Sequence, residues 1–167
     1  VQVLPVPTDE AVIKYYDEFN KNLTAIPYSR EDFDLDDGGN CSAGAKPMST
    51  SSGASNYYSV NPNKNGVQAY VPDAFQFPFT QIEYTPDNTG RIRRQSGVGP
   101  DHKLQSGHET KYFYAQPSQR ELDQLFGSEV GNKAHYKQNA VVDANRQLSV
   151  SYLDMQGRTI ATSLAGK

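Results

Sequence analysis

Two stretches of this chain carry the same phrase: Tyr84-Thr-Pro-Asp-Asn-Thr-Gly90-Arg91-Ile92 and Tyr152-Leu-Asp154-Met-Gln-Gly157-Arg158-Thr-Ile160. In each, alternating apolar and polar residues lead to a Tyr, an Asp follows within three positions, and a Gly-Arg pair precedes a second alternating run. That is the pattern of a β-hairpin, because period-2 alternation makes a half-buried strand and Asp and Gly make a tight reversal. Leu148, Val150 and Tyr152 lie on one face of the first strand, with Gln147, Ser149 and Ser151 opposite. The return strand is expected to match, with Ile160, Thr162 and Leu164 on one face and Thr159, Ala161 and Ser163 on the other.

The turn chemistry follows from the same residues. Asp154 is placed to accept hydrogen bonds from turn amides, Gly157 to take a positive φ, and Arg158 to lie across the turn and meet Asp154. The earlier copy runs from Phe79 to Gln95 with Pro86-Asp87-Asn88-Thr89-Gly90 at the bend, a loop one residue longer. A third, degraded copy from Val142 to Leu148 lacks the Gly.

The combination of Tyr, Asp and Gly-Arg followed by an alternating strand resembles the YD repeat of Rhs-type proteins. The block Gly97-Val-Gly-Pro-Asp-His-Lys-Leu-Gln-Ser-Gly-His-Glu-Thr-Lys-Tyr112-Phe-Tyr114 resembles one found upstream of such repeats in very long bacterial secreted proteins. The similarity runs from about Tyr57 to the end. The resemblance implies a strip of β-sheet wound into a hollow shell that encloses a toxin or other effector polypeptide until delivery. It implies a secreted or bacterial cell-surface protein whose partners are the rest of its own long chain, the enclosed effector and a secretion or outer-membrane translocation apparatus. It implies no catalysis and no cofactor. Tyr84 and Tyr152 would pack strand to strand, Asp87 and Asp154 hold the turns, Gly90 and Gly157 permit them, and Arg91 and Arg158 cross-link. The family's self-cleaving core with its Asp-Pro-x-Gly-type signature, and its variable toxin tail, are not among these residues, so the segment would supply wall or plug.

Composition sets bounds on any such reading. At 167 residues the default is one domain that buries roughly 70% of its unfolded surface. Apolar residues are 36% of the chain, with 11 Tyr, 7 Phe and no Trp, and the mean hydropathy is −0.72. Burial therefore falls largely to Tyr, whose ring packs while its hydroxyl reaches a polar partner. A net charge of −3 leaves no electrostatic footprint for nucleic acid or anionic membrane. No apolar run reaches the length of a membrane span, and no signal peptide is visible at Val1. A chain that opens Val1-Gln-Val and stops just after a hairpin strand is expected to be a piece of something longer. Cys41 is the only cysteine, which excludes an internal disulfide.

Along the chain, Val1 to Val6 is an edge strand or extended arm limited by Pro5 and Pro7. Val12, Tyr15, Tyr16, Phe19 and Leu23 recur at helical spacing and predict an amphipathic helix over about 9–22. A polar loop occupies about 34–66, anchored by Tyr57 and Tyr58. Val67 to Val71 reads as a short strand, Pro72-Asp73 as a turn, and Phe75, Phe77 and Phe79 as a period-2 run interrupted by Pro78. Lys111 to Tyr114 is a strand. Ser118 and Glu121 make a capping box for a helix over about 118–126, with Leu122, Leu125 and Phe126 as its stripe and Gly127 as its stop. The expected organisation is a helix and polar loop over 1–56, then a hairpin-repeat region over 57–167.

Candidate chemistry is sparse. A zinc reading joins His102 and His108 to His135 or Glu109, but the spacing fits no ligand motif, and the plainer reading has His108 bonding a carbonyl and Glu109 pairing with Lys111. A calcium reading uses Asp32, Asp34, Asp36 and Asp37 beside Gly38, but the position of the bidentate Glu falls on Ala43. Cys41 sits in a polar loop with no nearby His, which leaves it inert. The glycines at 97–99 and 38–39 lack the context of a phosphate loop and are turns. Arg91, Arg93 and Arg94 form the single basic cluster. They either bridge an anionic partner or pair across strands with Glu83 and Asp87.

The predicted fold is mainly β, with antiparallel hairpins of YD-repeat type in an open or spiralling sheet and one or two short helices. The predicted role is a structural shell or plug segment. Two other readings stay open. One is a secreted adhesion or carbohydrate-binding β module using Tyr57, Tyr58, Tyr70 and Phe75, and the other a metal-dependent hydrolase using His108 and Glu109.

Overall fold

A computed structural model describes residues 1–8, 12, 14–35, 38, 44–60 and 64–165. The fold is mainly β with antiparallel pairing and short helices. The chain forms two compact units, 1–83 with 95–109 and 84–94 with 110–167. Residues on both sides of 56 meet in one small core.

That core belongs to the first unit. Strand β1 (Gln2–Val3) pairs antiparallel with β2 (Phe79–Thr80). Beneath them Phe33, Ala45, Met48, Phe77 and Phe79 are buried together, flanked by Val3 and Tyr28. The Phe33 and Phe79 rings meet edge to face at 4.8 Å, a geometry that aromatic quadrupoles favour. Phe33 comes from α1 (Glu31–Asp34). The polar stretch predicted as a loop therefore delivers two core side chains, Ala45 and Met48, and it also contains α2 (Gly53–Tyr57). Tyr58 anchors its far end, as its hydroxyl donates to the Pro5 carbonyl at 2.8 Å.

Three sequence expectations fail in this unit. The helix predicted over about 9–22 is absent from the described part of that segment. Instead the Tyr16 amide donates to the Val6 carbonyl, the Thr8 amide to the Lys14 carbonyl, and Lys21 bridges Pro27 as a short antiparallel pair. Val12, Tyr15 and Leu23 are each more than 60% exposed, so the apolar stripe has no surface to bury and a helix would gain nothing from it. Asn22 adds local competition, because its Oδ1 accepts from the Thr24 and Ile26 amides, an arrangement that reverses the chain.

The strand predicted over Val67–Val71 is a 3₁₀ turn, Gly66–Tyr70. Its amide bonds close locally, Gln68 to Asn65 and Val71 to Gln68, and it pairs with no strand among the described residues. The Phe75–Phe79 alternation also breaks, since Phe75 and Gln76 take φ of 49° and 70°. That bend turns Phe75 outward while Phe77 and Phe79 enter the core.

The second unit is built on hairpins. Six strands lie side by side in chain order: β3 (Ile82–Tyr84) and β4 (Ile92–Gln95), of which residues 84 and 92–94 belong to this unit, then β5 (Thr110–Ala115), β6 (Lys137–Val142), β7 (Leu148–Leu153) and β8 (Thr159–Ala165). Pairing is antiparallel from β5 through β8. Helix α3 (Gln119–Phe126) lies in the connection from β5 to β6, close to the predicted 118–126. Ser118 caps it by accepting from the Glu121 amide, and Gly127 ends it at φ 89°. Leu122 is fully buried. No helix among the described residues is long and apolar enough to cross a membrane.

Register overturns one face assignment. Tyr152, Val150 and Leu148 stand opposite Ala161, Ser163 and Ala165, with an irregularity beside Leu153 that leaves Ile160 unpaired. Thr162 and Leu164 therefore share the face of Ser151 and Ser149, not that of the apolar row. A single bulged residue shifts every later side chain to the other face, which is what period 2 demands.

Candidate functional site

The structural motif residues can be followed turn by turn. At the β7–β8 bend the Asp154 amide donates to the Arg158 carbonyl and the Gly157 amide donates to the Asp154 carbonyl, both at 3.0 Å. The Asp154 carboxylate accepts from the Gln156 and Arg158 amides and from Arg158 Nε at 2.7 Å. Gly157 takes φ +80°, with open space where a Cβ would stand. This is a three-residue hairpin loop whose last residue is left-handed.

The β6–β7 bend repeats these bonds. The Asp143 amide donates to the Gln147 carbonyl and the Arg146 amide to the Asp143 carbonyl. Asp143 Oδ1 accepts from the Asn145 and Gln147 amides at 2.9 and 2.8 Å. Arg146 occupies the glycine position at φ 65°. The copy that looks degraded in sequence is the closest structural match to the second phrase.

The first phrase departs from them. Its bend closes through the Thr85 amide and the Arg91 carbonyl, so five residues, Pro86 to Gly90, stand where the second phrase has three, Met155 to Gly157. The loop is thus two residues longer between closing pairs. Tyr84 directly precedes its closing residue, whereas Tyr152 stands two before Asp154. The tyrosines consequently differ in surroundings: Tyr84 is 56% exposed and Tyr152 4%. Tyr152 is buried with its ring edge to face with Phe126 of α3, whereas Tyr84 stands largely in solvent.

Within its own loop Asp87 is held tightly. Its carboxylate accepts from the Thr85 hydroxyl, the Thr89 hydroxyl and amide, and the Arg91 guanidinium. These donors, led by the Thr85 hydroxyl, hold the Asp87 carboxyl far below the usual carboxylate range. Arg91 lies over the Tyr114 ring at 4.8 Å, and the Tyr114 hydroxyl donates to the Ile92 carbonyl at 3.0 Å. Gly90 takes φ +71°. Asp154 is lowered as well, chiefly by the Arg158 amide and then by its side chain.

Glu121 does something the capping-box expectation missed. Its side chain does not return to the Ser118 amide. It accepts instead from the Tyr152 hydroxyl and from Gln138 Nε2 at 2.7 Å. Burial first, then the Glu121 carboxylate, pushes the Tyr152 hydroxyl above its ordinary pKa. The ring of Phe126 meets that of Tyr152 edge to face. The signal was present in sequence only as an acidic residue next to Leu122, one turn before Leu125.

The metal readings find no assembled site. Among the described residues no group of three or more His, Cys, Asp or Glu side chains can hold an ion. His102 and His108 are neighbours, with ring centroids 6.1 Å apart and His102 Nδ1 facing the His108 carbonyl. His135 belongs to the second unit. Glu109 is buried and accepts from the Gly107 amide at 2.8 Å. Asp32 accepts from the Ser29 amide and hydroxyl, which caps the chain into α1, and Asp34 is exposed on that helix. Asp36, Asp37, Gly39 and Cys41 lie outside the described residues.

Two clefts remain. In the second unit Arg93, Arg94, Lys111, Tyr112 and Phe113 line one of about 420 Å³. In the first unit a cleft of about 500 Å³ has Tyr16, Glu18, Lys21 and Tyr57 in its walls. Of the other residues expected to face sugars, Tyr70 and Phe75 are exposed and Tyr58 is held by Pro5. Comparison with family models, curated proteins and solved structures finds no match.

Proposed function

We propose that this chain is a structural wall or plug segment of a large secreted protein of the Rhs/YD-repeat kind, which encloses an effector polypeptide and delivers it. The observation that carries this reading is the succession of β6, β7 and β8 through two bends of the same bonding, one after the other. A ribbon made this way extends by adding hairpins. β8 is the last strand of the sheet, so its outer backbone groups suit a further strand. The Asp, Gly and Arg positions serve geometry and not reaction, and no catalytic step belongs to the reading. The partners are the remainder of the same polypeptide and the enclosed cargo. The test is to sequence the gene on both sides of this segment and image its full product by electron microscopy. Many further Tyr/Asp/Gly-Arg hairpins and a hollow particle are the expected outcome, and their absence overturns the reading.

A second reading, a secreted adhesion or carbohydrate-binding β module, is favoured by the polar cleft of the first unit with Tyr16 and Tyr57 in its walls. A glycan array probed with the whole chain tests it, and an array without hits removes it.

A further inference from the structure

The cleft of the first unit has a composition that selects a ligand. Its volume, about 500 Å³, lies in the range of small-molecule sites. Tyr16, Glu18, Lys21, Asn22, Tyr57 and Lys64 are among the residues that line it. The Glu18 carboxylate accepts from the Tyr16 hydroxyl at 3.1 Å and the Lys21 ammonium at 2.8 Å. That trio is electrically closed on itself. Asn22 spends its Oδ1 on the Thr24 amide and hydroxyl and on the Ile26 amide. Its NH₂ group is left as a donor.

Lys64 differs. Its ammonium lies 5.7 Å from the Tyr57 ring centroid and donates to the Ser59 carbonyl. Neither partner carries a negative charge, so among the described residues this half-buried cation has no counter-ion. The ring and the carbonyl nevertheless hold it in place at the cleft wall. The floor is equally fixed. The Ala54 amide donates to the Phe19 carbonyl at 2.8 Å, and a Cβ on Gly53 would stand 2.5 Å from that same oxygen.

A positioned cation, aromatic walls and a row of amide and hydroxyl groups fit one negative charge on a ring that carries several hydroxyls. We propose that this cleft binds an acidic sugar, a pyranose bearing a carboxylate. The carboxylate meets Lys64, the hydroxyls meet the Glu18–Lys21 pair and the Asn22 amide, and the apolar ring face rests against Tyr16 and Leu23. A neutral sugar leaves the Lys64 charge uncompensated, and a bare carboxylate leaves the polar groups of Asn22, Glu18 and Lys21 to water. The inference rests on the carbohydrate-module reading, gives it a ligand class, and is independent of the shell reading.

The test is amide NMR of the whole ¹⁵N-labelled chain titrated separately with glucuronate, glucose and acetate. Glucuronate is expected to shift the amides of Lys21, Asn22, Tyr57 and Lys64 and to bind at least about tenfold tighter than glucose or acetate, the worth of one charge-assisted hydrogen bond. Lys64→Gln is expected to abolish that preference with the rest of the spectrum unchanged, while Lys64→Arg keeps it. Glucose binding as well as glucuronate, or a preference that survives Lys64→Gln, overturns the acidic-sugar inference and leaves the module reading standing. Acetate matching glucuronate, or no response to either sugar, overturns both.

Discussion

The Tyr152 hydroxyl donates to the Glu121 carboxylate, which fastens α3 to the C-terminal end of β7. One buried oxygen thereby joins an element set by capping to an element set by alternation. Gln138 of β6 donates to the same carboxylate, so the helix is tied to two strands at once.

Replacing Tyr152 with Phe keeps the ring against Phe126 and removes only the donor. The expected loss is about 1–3 kcal/mol, the cost of leaving a half-buried charged acceptor short of one of its donors. Urea unfolding of the two proteins measures it, and equal midpoints would show that the hydroxyl contributes nothing.

The two matching bends predict opposite responses to glycine chemistry. Gly157→Val forces a β-branched residue to φ +80° and is expected to cost about 1–3 kcal/mol through the backbone alone. Arg146→Gly relieves a left-handed non-glycine residue at φ 65° and is expected to be neutral or to stabilise by up to about 1 kcal/mol. Thermal unfolding of both variants checks the pair. A harmless Gly157→Val would remove the turn from the account.

The depressed Asp87 and Asp154 carboxyls set an acid limit for their bends. A group whose pKa is lower in the folded state than in the unfolded chain contributes stability above its unfolded value, near 4, and that contribution is lost as pH falls through the folded value. The bends are therefore expected to stay closed from pH 7 down through 4 and to loosen only in stronger acid. Amide shifts of Thr89 and Gln156, which donate to the two carboxylates, report the titration. Arg91→Met should move the Asp87 midpoint upward, since the guanidinium is one of its donors.

Met48 tests whether the polar stretch before α2 is part of the core. It is 1% exposed among Phe33, Phe77 and Phe79. Met48→Ala is expected to cost about 2–5 kcal/mol, as in other fully buried truncations. A loss below about 1 kcal/mol would mean that the site collapses around the gap.

Hairpins and α3 were legible in sequence because their signals are local. Alternation, an Asp that caps its own turn, and Ser118 before Leu122 each act within a few residues. What escaped depended on distant partners or on a count of one or two residues. The stripe from Val12 to Leu23 had helical period but no surface to cover it. Tyr84 and Tyr152 stood in similar phrases, yet the two extra residues enclosed by Thr85 and Arg91 placed them differently from their closing pairs. Met48 stands between Pro47 and a Ser/Thr run, and no periodicity could announce that it joins a core with three Phe rings. The Lys64 cleft was invisible for the same reason, as its walls come from segments far apart in the chain.

The seven residues of β8, Thr159 to Ala165, contain neither a proline nor a charge. Natural sheets usually guard an outermost strand with one or the other. A strand of this length, largely exposed and rich in β-branched side chains, is a template for uncontrolled polymerisation wherever it stays uncapped. Purified alone, the protein carries a built-in tendency to assemble edge on edge, and a lysine placed at Thr162 would be the simplest gatekeeper.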